Sequence, residues 1–412
     1  MKKIIIIGGG PAGMMAAIRA AENGARVILF EKNNRLGRKL SITGKGRCNL
    51  TNAADTQEII KNIPGNGKFL NSVLNNFTSN DTVNFFESLG LETKIERGNR
   101  IFPASDNAAE VIEVLTKKLE NLGVEVRLNS RVENIIANDK KVLGVEVKGK
   151  FFDCDAVILA TGGASYPATG STGDGFKFAK ILGHTVTEIL PALVPLETEE
   201  DFVQDLQGLS LKNVRVTLKA DDKVAAEIFG EMLFTHFGIS GPIILTLSRQ
   251  VARFLADKKF VELLINLKPA LTPEQLNARI LRDFEKFKGK IIKNAMIELL
   301  PQKLIPVILD LAYIDENKKV DEITKLERQN LIEILRGLPL TISATRPISE
   351  AIVTAGGVSV KEINPKTMES KIVENLFIVG EVLDVDGNTG GFNLQAAWAM
   401  GNAAGSFAGN SE

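Results

Sequence analysis

The sequence predicts an α/β fold interrupted by an insert of different character, and three observations predict it. An apolar run at residues 3–7 leads through Gly8-x-Gly10-x-x-Gly13 into MMAAIRAAENG, whose apolar residues recur at helical spacing. A second β run, Arg26 to Phe30, delivers Glu31 at its end. Between about residues 190 and 345 the pattern changes to alternating strands and then short amphipathic helices.

The first two observations form one unit of strand, tight turn and helix. Gly8 makes the turn, Gly10 lets the backbone approach a pyrophosphate, and Gly13 lets the helix pack on the strand, while Pro11 and Ala12 open the helix toward the anion. Gly24 ends that helix. Glu31, 18 residues after Gly13, is placed to accept hydrogen bonds from ribose hydroxyls. The unit is a Rossmann-like dinucleotide site, and by itself it does not choose between NAD and FAD.

After Glu31 comes a long polar loop, residues 32–52, with glycines at 37, 44 and 46 and basic residues at 35, 38, 39, 45 and 47. Such a loop suits wrapping a long anionic cofactor. Its candidate contacts are Lys32, Arg38, Lys39, Thr43, Gly44, Gly46, Arg47, Cys48 and Asn49. A buried β run ending in Ala160-Thr161-Gly162-Gly163 adds Thr161 and Gly162, at the sheet edge where α/β proteins place ligands.

Composition narrows the partners. The 412 residues, 44% hydrophobic, can bury a large core, and 50 Lys plus Arg balance 50 Asp plus Glu. Without a net charge, nucleic acid and membranes are not expected partners. The opening MKKIIII stops at Gly8 and is not read as an export signal, and no apolar run approaches the ~20 residues of a membrane span. Two cysteines far apart point to a reducing, cytoplasmic setting.

Several long segments carry a resemblance. GRKLSITGKGRCNLTN, LFTHFGISGP, TAGGVSV, PKTMES and GEVLDVDGNTGGFNLQAAWAMG, with GGGPAG and Glu31, resemble the bacterial BaiN-like (YhiN-like) flavoproteins. These lie within the two-dinucleotide-binding-domain flavoproteins and include aminoacetone oxidases and bile-acid enone reductases. The resemblance runs from the first strand to the last helix. It implies FAD, with Gly380 and Glu381 at the ribityl or pyrophosphate region, Asp384 nearby, and the backbone of Val132 at the adenine. It also implies that Gly390 and Gly391 let Phe392, Asn393 and Leu394 approach the flavin at a helix N-terminus, which favours negative charge there.

The resemblance further implies an insert with a β-barrel part and a helical part. The expected organisation is 1–190, the first part of the FAD-binding domain; 191–340, the insert (β-rich 191–268, helical 269–340) and a substrate lid; and 341–412, the second part. Within the insert Ser240-Gly-Pro242 reads as an N-cap and helix start, and Thr272-Pro273-Glu274-Gln275 as a capping box. A helix pair here is not read as a DNA reader, because the segment is not strongly basic.

For chemistry, no CxxC or metal-ligand spacing occurs, so a dithiol reductase and a metal centre are not expected. Cys48 reads as a buried hydrophobe more than a thiol catalyst. His184 reads as structural, whereas His236 is the candidate catalytic residue, set against a plain packing role. Tyr166 is a weaker candidate proton donor, and Arg47 and Arg100 candidate anion holders. The expected reaction is hydride transfer between flavin and a small organic substrate. It is either reduction of an activated C=C bond with transiently bound NADH or NADPH, or oxidation of an amine by oxygen; the alternatives are an FAD-binding tRNA-modifying protein and a non-catalytic redox sensor.

Overall fold

The computed structural model describes residues 1–410. The chain divides into two compact units, one made of residues 1–190 together with residues from 348 on, the other of residues 191–347.

The first unit is built on a five-stranded parallel sheet. Its strands are Lys3–Ile7 (β1), Arg26–Phe30 (β2), Glu125–Arg127 (β3), Ala156–Leu159 (β4) and Leu376–Ile378 (β5), in the spatial order β5-β4-β1-β2-β3. Ile4 to Ile7 are buried on both faces, which explains why β1 reads as a continuous apolar run without alternation. From β1 the chain first builds outward on one side, through β2, and later returns to the other side as β4. The crevice beyond the carboxyl ends of β1 and β4 is therefore a topological switch point, where sheets of this kind receive ligands.

Helix Pro11–Glu22 (α1) and the long helix Phe392–Gly409 (α2) pack against each other through a seam of small residues. A Cβ at Gly401, Gly405 or Gly409 would lie 2.4, 2.3 or 3.0 Å from the carbonyl oxygen of Ala12, Ala16 or Ala20 respectively. The register advances together along both helices, so they run parallel. Residues 392–400 consequently extend past the start of α1 by about 14 Å at 1.5 Å per residue.

The second unit contains a closed six-stranded barrel, in the order Leu196–Thr198, Gly238–Ser240, Lys223–Thr235, Ser210–Ala220, Val261–Asn266 and Leu338–Thr345. Helices including Pro273–Lys286 and Lys325–Arg336 pack their apolar faces on the same core. The Thr272 hydroxyl accepts from the Gln275 N–H and Gln275 reaches back to the Thr272 N–H, as the capping box predicts. Two expectations are corrected. Helix Pro242–Ala256 starts from Gly241 without a side-chain cap, because Ser240 is still the last residue of a barrel strand. The helical part does not run to 340: Leu338, Leu340 and Ile342 face inward as a strand paired to both Val261–Asn266 and Leu196–Thr198.

Candidate cofactor site

The dinucleotide turn is shaped by close packing on one side and open space on the other. A Cβ on Gly8 would lie 2.5 Å from the Ala160 oxygen, and one on Gly13 would lie 1.9 Å from the Gly8 oxygen, so both glycines are demanded by the fold. Gly10 is different. Its backbone is extended (φ −84°, ψ −176°), which any residue tolerates, and a Cβ there would meet nothing within 4 Å. No part of the polypeptide asks for a glycine at this position. It caps a helix whose first N–H groups have no partner inside the helix, so the open space is shaped for an anion.

Around this cradle the strand ends bring together residues distant in sequence. Glu31, buried at the end of β2, accepts the Gly9 N–H at 2.8 Å on one carboxylate oxygen and two bonds from Asn33, at 2.8 and 2.7 Å, on the other. At the end of β4 the Thr161 hydroxyl is buried without a hydrogen-bond partner, and Gly162 takes a left-handed φ of 74°. Gly380, after β5, also has a left-handed φ, and a Cβ there would lie 3.2 Å from the Ala12 side chain. Glu381 next to it accepts Lys39 Nζ at 2.7 Å, the Ser165 hydroxyl at 2.9 Å and the Thr354 N–H at 2.8 Å. Burial pushes the Glu381 carboxyl up, but the Lys39 charge and these hydrogen bonds outweigh it and hold it below the usual carboxylate range.

The cationic loop residues are mostly engaged by the protein itself. Lys32 bonds Thr172 (2.6 Å) and Asp174 (2.9 Å), and Arg38 donates to the Asn33 amide oxygen at 3.0 Å. Arg47 lies over the Phe102 ring and pairs with Glu96 and Asp106, so it fastens its loop to the hairpin 93–103 instead of reaching for an anion. Arg100 donates to the Arg97 carbonyl and is likewise taken up locally. The Thr43 hydroxyl bonds the Leu40 carbonyl, and Gly44 and Gly46 turn the loop with left-handed backbones. Cys48 is fully buried, and burial pushes its thiol up to about 12 despite a hydrogen bond with Thr43.

At the far end of the crevice stands the start of α2. Asn49, its amide oriented by its partners, accepts the Gly391 N–H at 2.9 Å and donates to the Thr51 and Ile101 carbonyls. Asn393 clamps the preceding turn through Gly387 and Asn388, and buried Gln395 ties Thr51, Thr82 and Phe77 beneath the helix. The two glycines are also required by the chain itself, a second reason for them that local sequence does not show. A Cβ on Gly391 would lie 2.4 Å from the Thr51 oxygen, and one on Gly390 would lie 2.6 Å from the Phe392 ring, both at left-handed φ. The first-turn N–H groups of Phe392, Asn393 and Leu394 remain, as at any helix start, without intrahelical partners.

The remaining candidates are dispersed. The Asp384 backbone bonds Val358 and Asn66. Val132 is buried at the start of the strand Val132–Asn138, just after the segment that bonds Glu31 and Asn33 through Arg127, Asn129 and Ser130. Tyr166 has a left-handed backbone, and its carbonyl accepts from Thr169. His184 is buried with Nδ1 on Glu362 and Nε2 on Ser370, both 2.9 Å away, a structural arrangement. His236 lies exposed in the two-residue turn between barrel strands of the second unit, edge-on to Phe237. Among the described residues no cluster suited to a metal ion occurs. Sequence reasoning missed Asn33, Ser165 and Thr354; a polar residue in a polar loop gives no signal, although Thr354 stands in the TAGGVSV segment.

An open glycine at a helix start, an unpaired buried hydroxyl at the neighbouring strand end and an acid at the end of β2 fit the pyrophosphate and ribose of a dinucleotide. The comparisons with known proteins agree. The HI0933-like protein Rossmann domain family matches residues 2–407. The chain is 36% identical to the 3-dehydro-bile acid delta(4,6)-reductase of Clostridium scindens, over 98% of each chain. It is 32% identical to the ribosomal RNA dihydrouridine synthase of Haemophilus influenzae, over 97% of this chain and 96% of the relative. In fold it is similar to the 3-ketosteroid-delta4-(5alpha)-dehydrogenase of Rhodococcus jostii, with a TM-score of 0.52 at 16% identity over 100% of this chain and 97% of that one. The chain belongs to the HI0933-like Rossmann family and is an FAD-dependent oxidoreductase.

Proposed function

We propose that this flavoprotein reduces a carbon–carbon double bond conjugated to a carbonyl in a small organic substrate, with NADH or NADPH binding transiently as electron donor. The observation that carries the reading is a chemistry shared by relatives matched over nearly their whole length. A delta(4,6)-reductase of a 3-dehydro bile acid and a dihydrouridine synthase both saturate a ring double bond in conjugation with a carbonyl. FAD, when bound, supplies hydride transfer. The protein's part is to hold and orient: the Gly8–Gly13 turn and the start of α1 for the pyrophosphate, Glu31 for the ribose, and the region of Thr161, Gly162, Gly380 and Glu381 for the middle of the cofactor. The overhanging start of α2 places partial positive charge at the far end, where it favours an electron-rich ring. The insert is assigned the role of a lid that excludes water, and His236, whose exposed ring nitrogens make no hydrogen bond to described residues, that of proton donor.

A second reading, uridine in ribosomal RNA as the substrate, is favoured by the Haemophilus relative. Against it, the most lysine-rich run, residues 286–293, is partly neutralised: Lys286 pairs with Glu298 and Lys293 with Glu316. We therefore place a small molecule first and a cytoplasmic setting with it.

The test is anaerobic. NADH or NADPH is added to the purified protein and the flavin band is followed; the bleached protein is then offered a 3-oxo-Δ4 steroid acid or a uridine-containing ribosomal RNA fragment. Fast bleaching with recovery of colour on the steroid supports the first reading. Recovery only on the RNA moves the assignment to the second. Flavin that no nicotinamide bleaches, but an amine does, replaces the reductase by an oxidase.

A further inference from the structure

One polar side chain beside the Gly8–Gly13 turn joins an unusual number of chain segments. Asn33, two residues past the acid at the end of β2, makes five hydrogen bonds. Its backbone N–H (2.8 Å) and its amide nitrogen (2.7 Å) both donate to one oxygen of Glu31. The amide nitrogen also donates to the Thr169 carbonyl at 3.1 Å, the amide oxygen accepts Arg38 Nη1 at 3.0 Å, and the Asn33 carbonyl accepts the Asn129 N–H at 2.9 Å. The other Glu31 oxygen accepts the Gly9 N–H at 2.8 Å.

We infer that Asn33 is a positioning residue for the adenosine half of the cofactor, an inference that rests on FAD occupying this crevice. A carboxylate has about four lone-pair directions. Asn33 fills both on one Glu31 oxygen and Gly9 one on the other, so a single direction is left for a sugar hydroxyl, and the rotation of the carboxylate is fixed. The same amide holds Arg38 beside this acid and buckles the segment 165–173 to it. Gly170 makes room for the arrangement: its φ is 108°, and a Cβ there would lie 2.4 Å from the Asn33 amide nitrogen.

The test uses the full chain stripped of flavin, with FAD, FMN and ADP as probes. Bonds to a charged acceptor are each worth enough that N33A raises the Kd for FAD about tenfold or more, and N33D, which sets a second carboxylate against Glu31, raises it further. G170A, which displaces the amide without removing it, moves FAD affinity in the same direction. FMN lacks the adenosine half, so its affinity for N33A stays within about twofold of wild type, while the directly measured Kd of ADP for flavin-free protein rises by about the factor by which the Kd of FAD rises. An unchanged FAD Kd in N33A, an equal loss for FMN, or a directly measured ADP Kd equal in both proteins overturns the inference. Melting of the stripped variants separates a folding defect from a binding one, with G170A and N33D carrying the test if N33A does not fold. A wild-type protein that binds FAD and ADP but reduces no conjugated alkene overturns the proposed reaction and leaves Asn33 untouched.

Discussion

Two helix starts face the same crevice, and both are marked by glycine, yet for opposite reasons. At α1, Gly10 has an ordinary extended backbone and nothing within 4 Å of a Cβ, so the missing side chain serves something outside the polypeptide. At α2, Gly391 has a left-handed φ of 94° and the Thr51 oxygen 2.4 Å from where a Cβ would stand, so the missing side chain serves the polypeptide itself. The difference teaches that a glycine-rich helix mouth is evidence for a ligand only where the chain gives no reason for the glycine.

The largest effect that would break this comparison is at α2. In G391A the new methyl group meets a backbone carbonyl at a φ that L-residues avoid, and the two costs together come to about 3 kcal/mol. Denaturant unfolding of flavin-free protein measures it, and a G391A variant as stable as wild type shows that the chain does not need this glycine. At α1 the expectation reverses. G10A leaves the flavin-free protein as stable as before, since neither conformation nor packing opposes a methyl group, while FAD affinity falls about tenfold or more, some 1.4 kcal/mol. Equal FAD binding by G10A and wild type would remove the strongest geometric argument for the site.

Legibility in the sequence follows the same division. The turn at Gly8–Gly13 and the acid at Glu31 could be read because strand, turn, helix and acid are local and their spacing is set by one βαβ geometry. The capping box at Thr272 was legible for the same reason. The end of the insert was not, because a strand that closes a barrel is defined by partners about 75 and about 145 residues away, Val261–Asn266 and Leu196–Thr198. The ion pairs of Arg47 were not legible, because its carboxylate partners Glu96 and Asp106 lie 49 and 59 residues further along the chain. Asn33 was missed because five hydrogen bonds leave no mark on a polar loop sequence. What sequence reasoning saw was the chain's local geometry; what it missed was the pairing of polar groups across distance.

A smaller effect concerns Glu381, an acid whose lone pairs the chain itself occupies. Burial raises its carboxyl pKa, and the Lys39 ion pair with the Thr354 and Ser165 bonds lowers it by more, so the folded value lies below the unfolded one. The folded state then binds fewer protons, and the stability contributed by this group is present above the ordinary glutamate value of about 4.3 and is lost as pH falls through the folded value. The measurement is unfolding free energy of flavin-free protein against pH: wild type falls on the acid side more steeply than E381Q. Parallel curves would show that the Lys39 pair is not formed in solution.

The smallest expected effect is at Cys48, beside the Asn49 amide that caps α2. The thiol is fully buried, its pKa is pushed up to about 12, and its backbone is left-handed at φ 61°. A thiol in this state is almost wholly protonated at neutral pH and sheltered from reagents, so it contributes packing and no nucleophile. Native protein at pH 7 should therefore react with iodoacetamide at Cys48 only as fast as it unfolds, and C48A should change the rate of flavin reduction by less than about twofold, since no thiolate is lost. Rapid alkylation of the folded protein, blocked by bound FAD, would instead place an accessible thiol at the redox end of the crevice. The start of α2 would then owe its shape to the cofactor as α1 does, and the contrast between the two helix starts would disappear.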